Sequence, residues 1–401
     1  MTSRAQARAL ASPSAGVLAV NAGSSSVRFA VFDAGAPFVL RLSGKLDRLG
    51  LAGAELTASP GHAGPVRISR DRPTALRQLL AWLEDRRVFE AVRVVGHRIV
   101  QGMTRTKPER VTARLLADLH SHTAYDPDHL PLEIELMEAI RSRHPRLPQV
   151  ACFDTAFHRD MPAVARLLPI PWKYGRMGVE RYGFHGISYE YLMGELARLD
   201  PRAAARGRVI LAHLGNGASL AAVKGGRSRD TSMGFTPAAG LVMSTRTGDL
   251  DPGLLAFMAR RQAMGPAGFE RMVNHESGLL GVSGFSSDMR DLLRCEKSRP
   301  RAAAAIELFC YQARKWIGAY AAALGGLDTL VFAGGIGENA PEVRARICEG
   351  LGFLGVRIDA RRNAGNAPVI STRASRVTVR MIRTDEELMI ARSAWLLGLR
   401  R

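Results

Sequence analysis

Between residues 17 and 32 the chain reads VLAVNAGSSSVRFAVF, two apolar runs around a cluster of Asn, Gly and three Ser. The pattern predicts two buried strands joined by a tight turn. An ordinary turn needs one Gly or Asn to reach positive φ, so the surplus of small hydroxyl and amide groups predicts a ligand seated on this turn. Further on, VRVVGHRIV (92–100) and PQVACFDTAF (148–157) read as strands, with the helical patterns ARLLADLH and LPLEIELMEAIRSR between them. GRVILAHLGNGASLAAV (207–223) and DTLVFAGGIGEN (328–339) follow, the latter a buried strand ending in a glycine turn. Strands alternating with helices in this way predict an α/β fold. AAAAIELFCYQARKWIGAYAAAL (302–324) predicts a long helix, and its periodicity leaves open whether it packs in a core or against a partner.

One stretch is echoed. GSSSVRFAV (23–31) and GNGASLAAV (215–223) have the same length, and each follows an apolar run containing Leu-Ala. A strand, small-residue turn and strand early in each half suggest a duplicated domain with two hairpins. Backbone N–H groups in such turns form nests for phosphate oxygens, and two nests could hold one polyphosphate.

A chain of 401 residues exceeds one core and predicts two or three domains. With 46% hydrophobic and 23% charged residues it reads as a folded enzyme, and no apolar run is long enough for a bilayer. Residues 1–14, MTSRAQARALASPS, lack a signal-peptide apolar centre and read as a disordered extension. Cys152, Cys295, Cys310 and Cys348 are scattered without a CxxC pair, which fits a reducing cytoplasm and indicates no zinc site or disulfide framework. The formal net charge of +19 comes mostly from dispersed Arg. It reads as compositional bias plus an anionic small substrate, so neither nucleic acid nor membrane is an expected partner. A role toward nucleic acid or an acidic partner is the alternative.

The run TSMGFTPAAGLVMSTRTGDLDPG (231–253) resembles the central signature of the acetate kinases. NAGSSSVR, GHRIV, FDTAFH, YGFHGIS, HLGNG, SGLLGVSGFSSDMRDL, GGIGEN and TDEELMIAR resemble that family's other motifs, in the family's order, from residue 17 to about 392. The resemblance implies duplicated actin-like (ribonuclease H-like) ATPase domains with a nucleotide cleft between them. The implied boundaries are 15–157 plus 386–401 for the acyl-substrate lobe and 158–385 for the nucleotide lobe. It also implies a cytoplasmic homodimer that reversibly moves the γ-phosphoryl group of ATP to acetate, giving acetyl phosphate and ADP, with Mg2+ (Mn2+ able to substitute).

The chemistry explains the residue types. A carboxylate with a pKa of about 4 is already a nucleophile at neutral pH, so the obstacle is an anion approaching a polyanion. Cations and donors around the moving phosphoryl group are what catalysis needs. The resemblance implies Arg98 for the carboxylate, and Arg246 with His185 for the transition state. It marks Asp154 as a proton donor or acceptor. Since the nucleophile needs no deprotonation, we expect Asp154 to orient an arginine and metal-bound waters instead. Asn21 and Glu386 are the implied metal residues. Here Glu386 is preferred over Glu387 because Thr384–Glu387 reads as a capping box, with Thr384 as N-cap and Glu387 reaching back. The implied nucleotide contacts are Ser24, Ser26 and Arg28; His213, Leu214, Gly215, Asn216 and Gly217; Asp288, Met289 and Arg290; and Gly334, Gly335, Ile336, Gly337, Glu338 and Asn339. Each has a plainer reading: a core histidine for His185, a surface ion pair for Arg98, a helix N-cap for Asp288.

The chain departs from the family pattern at a phosphate contact and around the acyl group. Arg28 replaces a usual Lys, and Gln101 and Met103 replace His and Gly. TAYDP (123–127), set against the family's Pro-Leu-His-Asn-Pro, puts Ala124 at a pocket Leu. Val100, Ala124, Phe184 and Pro237 are the expected acyl-pocket residues. Propionate or butyrate as acceptor, and an inactive nucleotide-binding relative, are the alternatives.

Overall fold

The structure, a computed structural model, describes residues 15–23, 26–60 and 64–399. The expected N-terminal extension 1–14 and Ser24 lie outside the described residues. The chain divides into two compact units, one drawn from residues up to Ala156 together with those from Asp385 on, the other spanning Phe157–Thr384.

The first unit holds eight strands: β1 (Gly16–Ala22), β2 (Val27–Asp33), β3 (Val39–Asp47), β4 (Glu55–Ser59), β5 (Val66–Arg67), β6 (Val92–Ile99), β7 (Glu109–Arg110) and β8 (Gln149–Phe153). They lie in the order β5-β4-β3-β2-β1-β6-β8-β7. Strand β1 pairs antiparallel with β2 and parallel with β6, and β6 pairs parallel with β8. β1 is buried at every position, as a strand covered on both faces must be. Alternation sends Leu18, Val20 and Val95 into one core with the helices Arg72–Asp85 and Leu130–Arg143. The opposite face is covered by the helix Glu386–Gly398, which packs on β1, β6 and β8. Gly96 permits that contact: a Cβ there would lie 2.6 Å from the Ile390 side chain and 2.9 Å from Ala394. Asn21, Arg98 and Asp154 share the strand parity of this second face.

The second unit holds β9 (Arg208–Leu214), β10 (Ala218–Lys224), β11 (Arg227–Thr231), β12 (Thr329–Ala333) and β13 (Thr378–Met381), in the order β11-β10-β9-β12-β13. β9 pairs antiparallel with β10 and parallel with β12, and β12 parallel with β13. This repeats β3-β2-β1-β6-β8 strand for strand. The two echoed stretches occupy the same hairpin in each repeat, and the fold is the duplicated actin-like α/β arrangement. Tyr189, Leu192 and Leu196 of the helix Gly186–Leu199 pack on Val209, Leu211, Ala221, Val223 and Val331. The long helix Pro300–Leu324 packs on β9 and β10, burying Ile306, Phe309, Ala313, Ile317 and Tyr320, so its apolar face belongs to this unit's core. It starts with Pro at the first position and stops at Gly325 in the left-handed region.

Two expectations change. The glycine segment after β12 is not an open turn: Gly334–Asn339 forms one short helix. Thr384 does not cap the final helix. Asp385 is its N-cap, accepting from the Leu388 N–H at 2.9 Å. All four cysteines are free thiols. Among the described residues no helix is long and apolar enough to cross a membrane.

Candidate active site

In the first unit the parallel strands β1, β6 and β8 end side by side, the usual place for an α/β sheet to deliver functional groups. There Arg98 donates from both Nε (2.9 Å) and Nη2 (2.6 Å) to one oxygen of Asp154, and from Nη1 to Asn21 Oδ1 (3.2 Å). Asn21 Nδ2 donates onward to Glu386 Oε2 (2.8 Å) and Glu387 Oε1 (3.0 Å). Asp154 is fully buried, Asn21 7% exposed and the Arg98 side chain 14% exposed. Burial alone would lower the Arg98 pKa, but the charges of Asp154 and Glu386 outweigh it and hold the guanidinium above its ordinary value. Arg98 is a fixed cation.

Both glutamates sit in the first helical turn and both meet Asn21, so capping does not separate them as the sequence suggested. Burial, then the neighbouring Glu386 charge, pushes the Glu387 carboxyl up. Two adjacent carboxylates beside an amide form a set of hard oxygen donors. Mg2+ takes one or two carboxylates and keeps waters for the rest, and a cation would relieve the repulsion that raises Glu387. The donor set fits Mg2+. Among the described residues no group of three or more His, Cys, Asp or Glu could hold a metal.

Arg28 stands opposite Asn21 in the β1–β2 register, with Lys45 across from it on β3. Together with Asp385 and Glu387 these cations line a groove of 470 Å³. The Gly23 N–H closes the hairpin turn onto the Ser26 carbonyl at 2.8 Å.

Beyond β6, Val100 is buried and its N–H is shared by both oxygens of Glu133, at 3.1 and 3.2 Å. Glu133 is 1% exposed. Burial and then the Asp126 charge push its carboxyl well above the ordinary range. A Glu on the apolar side of LPLEIELMEAI was the available sign of this residue, and sequence reasoning passed over it. Ala124 lies exposed on the 3-10 turn Thr123–Tyr125. The Pro-x-His-x-Pro spacing of the family motif recurs at Pro127, His129 and Pro131, where it matches at three positions; the 123–127 register matches at one. His129 is buried, with Nδ1 2.8 Å from Asp126 Oδ1.

The second unit gathers another set. His185 is the N-cap of the helix Gly186–Leu199 with φ 60°, a left-handed conformation unusual outside Gly and Asn. Its Nδ1 lies 2.9 Å from Ser219 Oγ, which in turn lies 2.5 Å from the Tyr189 hydroxyl. The His213 ring lies 4.4 Å from the His185 ring. A Cβ at Gly217 would be 3.1 Å from His185 Nε2 and 3.9 Å from Arg246 Nη1. The imidazole and the guanidinium therefore converge over the turn Gly215–Gly217. Arg246 Nη1 also reaches the Pro237 carbonyl at 3.4 Å, and the Ser244 N–H donates to the Asn216 carbonyl at 3.1 Å. A Cβ at Gly215 would lie 3.7 Å from the Gly335 nitrogen, so the two glycine segments adjoin. Gly334 has φ 76°, and a Cβ there would come within 2.7 Å of the Leu214 carbonyl, which demands Gly. Gly335 and Asn339 are exposed, Ile336 half-buried and Gly337 buried. Phe184 is buried, its carbonyl accepting from His158 Nε2 at 3.0 Å.

Asp288, Met289 and Arg290 are held differently. Asp288 caps the helix Met289–Cys295 through the Arg290 N–H (2.8 Å) and pairs with the exposed Arg290 guanidinium at 2.6 Å. Met289 is buried. Asp288 and Arg290 thus make a local cap at the start of this helix.

Known proteins resemble the chain along almost its whole length. The family described as Acetokinase family matches residues 16–392. A propionate kinase of Citrobacter rodentium is 41% identical over 391 residues, covering 96% of this chain and 97% of that protein. An acetate kinase of Rhodopseudomonas palustris is 43% identical over 400 residues, covering 95% and 98%. Among solved structures, a Porphyromonas gingivalis acetate kinase superposes with a TM-score of 0.86 at 36% identity, covering 96% of this chain and 99% of that one. A Francisella tularensis propionate kinase gives 0.90 at 34% identity, covering 96% and 100%.

Proposed function

The chain belongs to the acetokinase family of carboxylate kinases, and on that premise we propose that it phosphorylates acetate with ATP, reversibly, giving acetyl phosphate and ADP. The observation that carries this reading is Arg98: a buried, permanently charged fork whose direction is fixed by a single Asp154 oxygen. Such a fork matches a carboxylate and fits few other small acceptors as well.

The acceptor oxygen attacks the γ-phosphorus, and the new P–O bond forms as the bond to the ADP oxygen breaks. No proton need leave the nucleophile. Asp154 acts by orienting Arg98. The N–H groups of Asn216 and Gly217, the His185 imidazole and the Arg246 guanidinium receive the charge on the phosphoryl oxygens, while the Gly215 N–H closes the turn onto the Gly217 carbonyl at 3.1 Å. A donor relay from Tyr189 through the Ser219 hydroxyl to His185 Nδ1 leaves Nε2 as the N–H facing the phosphoryl group. Asn21 holds Glu386 and Glu387, which would bind Mg2+ (or Mn2+), an ion that supplies neutralisation of phosphate charge. The same reading includes a cytoplasmic homodimer.

Propionate is the second reading, supported by propionate kinases standing as near in identity as acetate kinases. In the 127–131 register the pocket Leu becomes Asp128, an acid that favours neither acyl chain. An acyl hydroxamate assay with ATP and acetate, propionate or butyrate tests all of this. Acetate is expected to give the highest kcat/KM, with propionate within about 100-fold. A higher value for propionate replaces the acceptor, and no product from any acid removes the kinase reading.

A further inference from the structure

We propose that Glu338 is a positioning residue that ties the glycine segment after β12 to the Thr384 peptide, where the second unit ends; this deepens the reading of that segment as the nucleotide side of a carboxylate kinase. One carboxylate oxygen, Oε1, accepts from two backbone donors far apart in sequence: the Gly334 N–H at 3.0 Å and the Thr384 N–H at 3.1 Å.

Each donor has a reason to need it. Gly334 opens the short helix Gly334–Asn339, whose N-cap Ala333 has no side chain to satisfy the first N–H groups. Glu338 reaches back one turn and does so. Thr384 is the last residue of the second unit, and the next residue, Asp385, caps the final helix. The Thr384 hydroxyl donates to Ser188 Oγ at 3.2 Å, and Ser188 lies in the first turn of the helix that His185 opens. Glu338 is thereby the junction of three candidate elements: the glycine segment, the helix behind His185 and the peptide leading to the glutamate pair.

The backbone under Glu338 is clamped from the other side. Arg344 is fully buried. Its Nη1 donates to the carbonyls of Gly337 (2.8 Å) and Glu338 (3.0 Å), and its other donors go to Asn363 and Asn366. With the Glu338 main chain fixed, displacement of Gly334 by a ligand on the glycine segment is felt at Oε1, and through it at Thr384. Gly335 and Asn339 are the exposed members of the segment and remain for the ligand itself.

The test compares wild type with Glu338→Ala and Glu338→Gln. Positioning predicts that Glu338→Ala lowers kcat about 10-fold or more while the KM for ATP changes less than about 3-fold, and that Glu338→Gln, which keeps one acceptor oxygen, recovers most of the rate. Backbone hydrogen exchange over 382–390 gives a second readout. ATP should slow it in wild type and in Glu338→Gln, and leave Glu338→Ala unchanged. A raised ATP KM at normal kcat, or equal ATP-dependent protection in all three proteins, overturns the proposal. ATP-dependent protection in a wild type that phosphorylates no acid overturns the proposed function and supports the coupling. Failure to bind ATP overturns both.

Discussion

Asp154 spends one oxygen on two N–H groups of the same arginine, the arrangement of an orienting anion rather than a proton shuttle. Asp154→Asn should therefore lower kcat by about 10- to 1000-fold and raise the acceptor KM, with the shape of the pH–rate profile kept. Loss of a basic limb in the variant would return Asp154 to acid/base duty. Ser219→Ala should cut kcat about 10-fold at constant ATP KM by releasing the His185 tautomer, seen in steady-state kinetics. Glu133 gives a pH prediction. Its carboxyl is pushed above 4.5 in the fold, so above that pH the unfolded chain releases a proton that the native state keeps, and stability falls as pH rises. The melting-temperature advantage of Glu133→Gln over wild type should then widen from pH 4.5 to 8, and a constant gap would sink the argument. Asn21 and Arg98 were marked in the sequence by their place in family-like motifs, and Asp154 also because it ends an apolar strand. Glu133 and Ser219 were not, since a buried polar residue looks like a solvated one until its partner is placed.

At the scale of elements, the helix pattern at 130–143 carried over intact because it rests on local periodicity, while the strand expected over 148–157 stops at Phe153, ahead of a 3-10 turn at Ala156–His158. What failed was chemistry at element ends. A capping box at Thr384 was outcompeted by Asp385, since Thr384 is claimed by Glu338 and Ser188. The glycine segment closed into a helix because Glu338 and Arg344 satisfy both of its ends. Gly217 lies so near His185 that Gly217→Ala should displace the ring and lower kcat at least 10-fold with little change in melting temperature. Gly96→Ala acts on another element. It forces the helix Glu386–Gly398 off β6, and should cost about 1–3 kcal/mol in denaturant unfolding.

For the molecule as a whole, the echo of one hairpin in another foretold the repeat of five strands, and pairing order then followed from topology. The +19 charge foretold little, because the arginines that carry most of it are dispersed along the chain rather than gathered in one block. Acid sensitivity is a global property that no motif encodes. Burial presses His97 and His158 down to about 4, against the hydrogen bonds they donate to the Gln149 side-chain oxygen and the Phe184 carbonyl, which resist it. Both stay neutral in the fold, and their stabilising effect is complete above 6.5 and lost as pH falls toward 4. Each can remove roughly 3 kcal/mol over that window. Melting temperature should drop between pH 6.5 and 4.5, and His158→Gln should flatten the descent.

The last helix in the sequence lies on β1, the first strand, and that bears on biosynthesis. At about 5–20 residues per second, the ribosome makes all of Phe157–Thr384 before it emits the segment that closes the opening sheet. Until then the side of β1, β6 and β8 bearing Val17, Ala19 and Val94 is bare to solvent. The later-made unit is free to fold first, while the earlier one waits as a client for chaperones. A nascent chain halted at residue 384 should expose this apolar surface to a trigger-factor-like holdase, and release of the final residues should hide it.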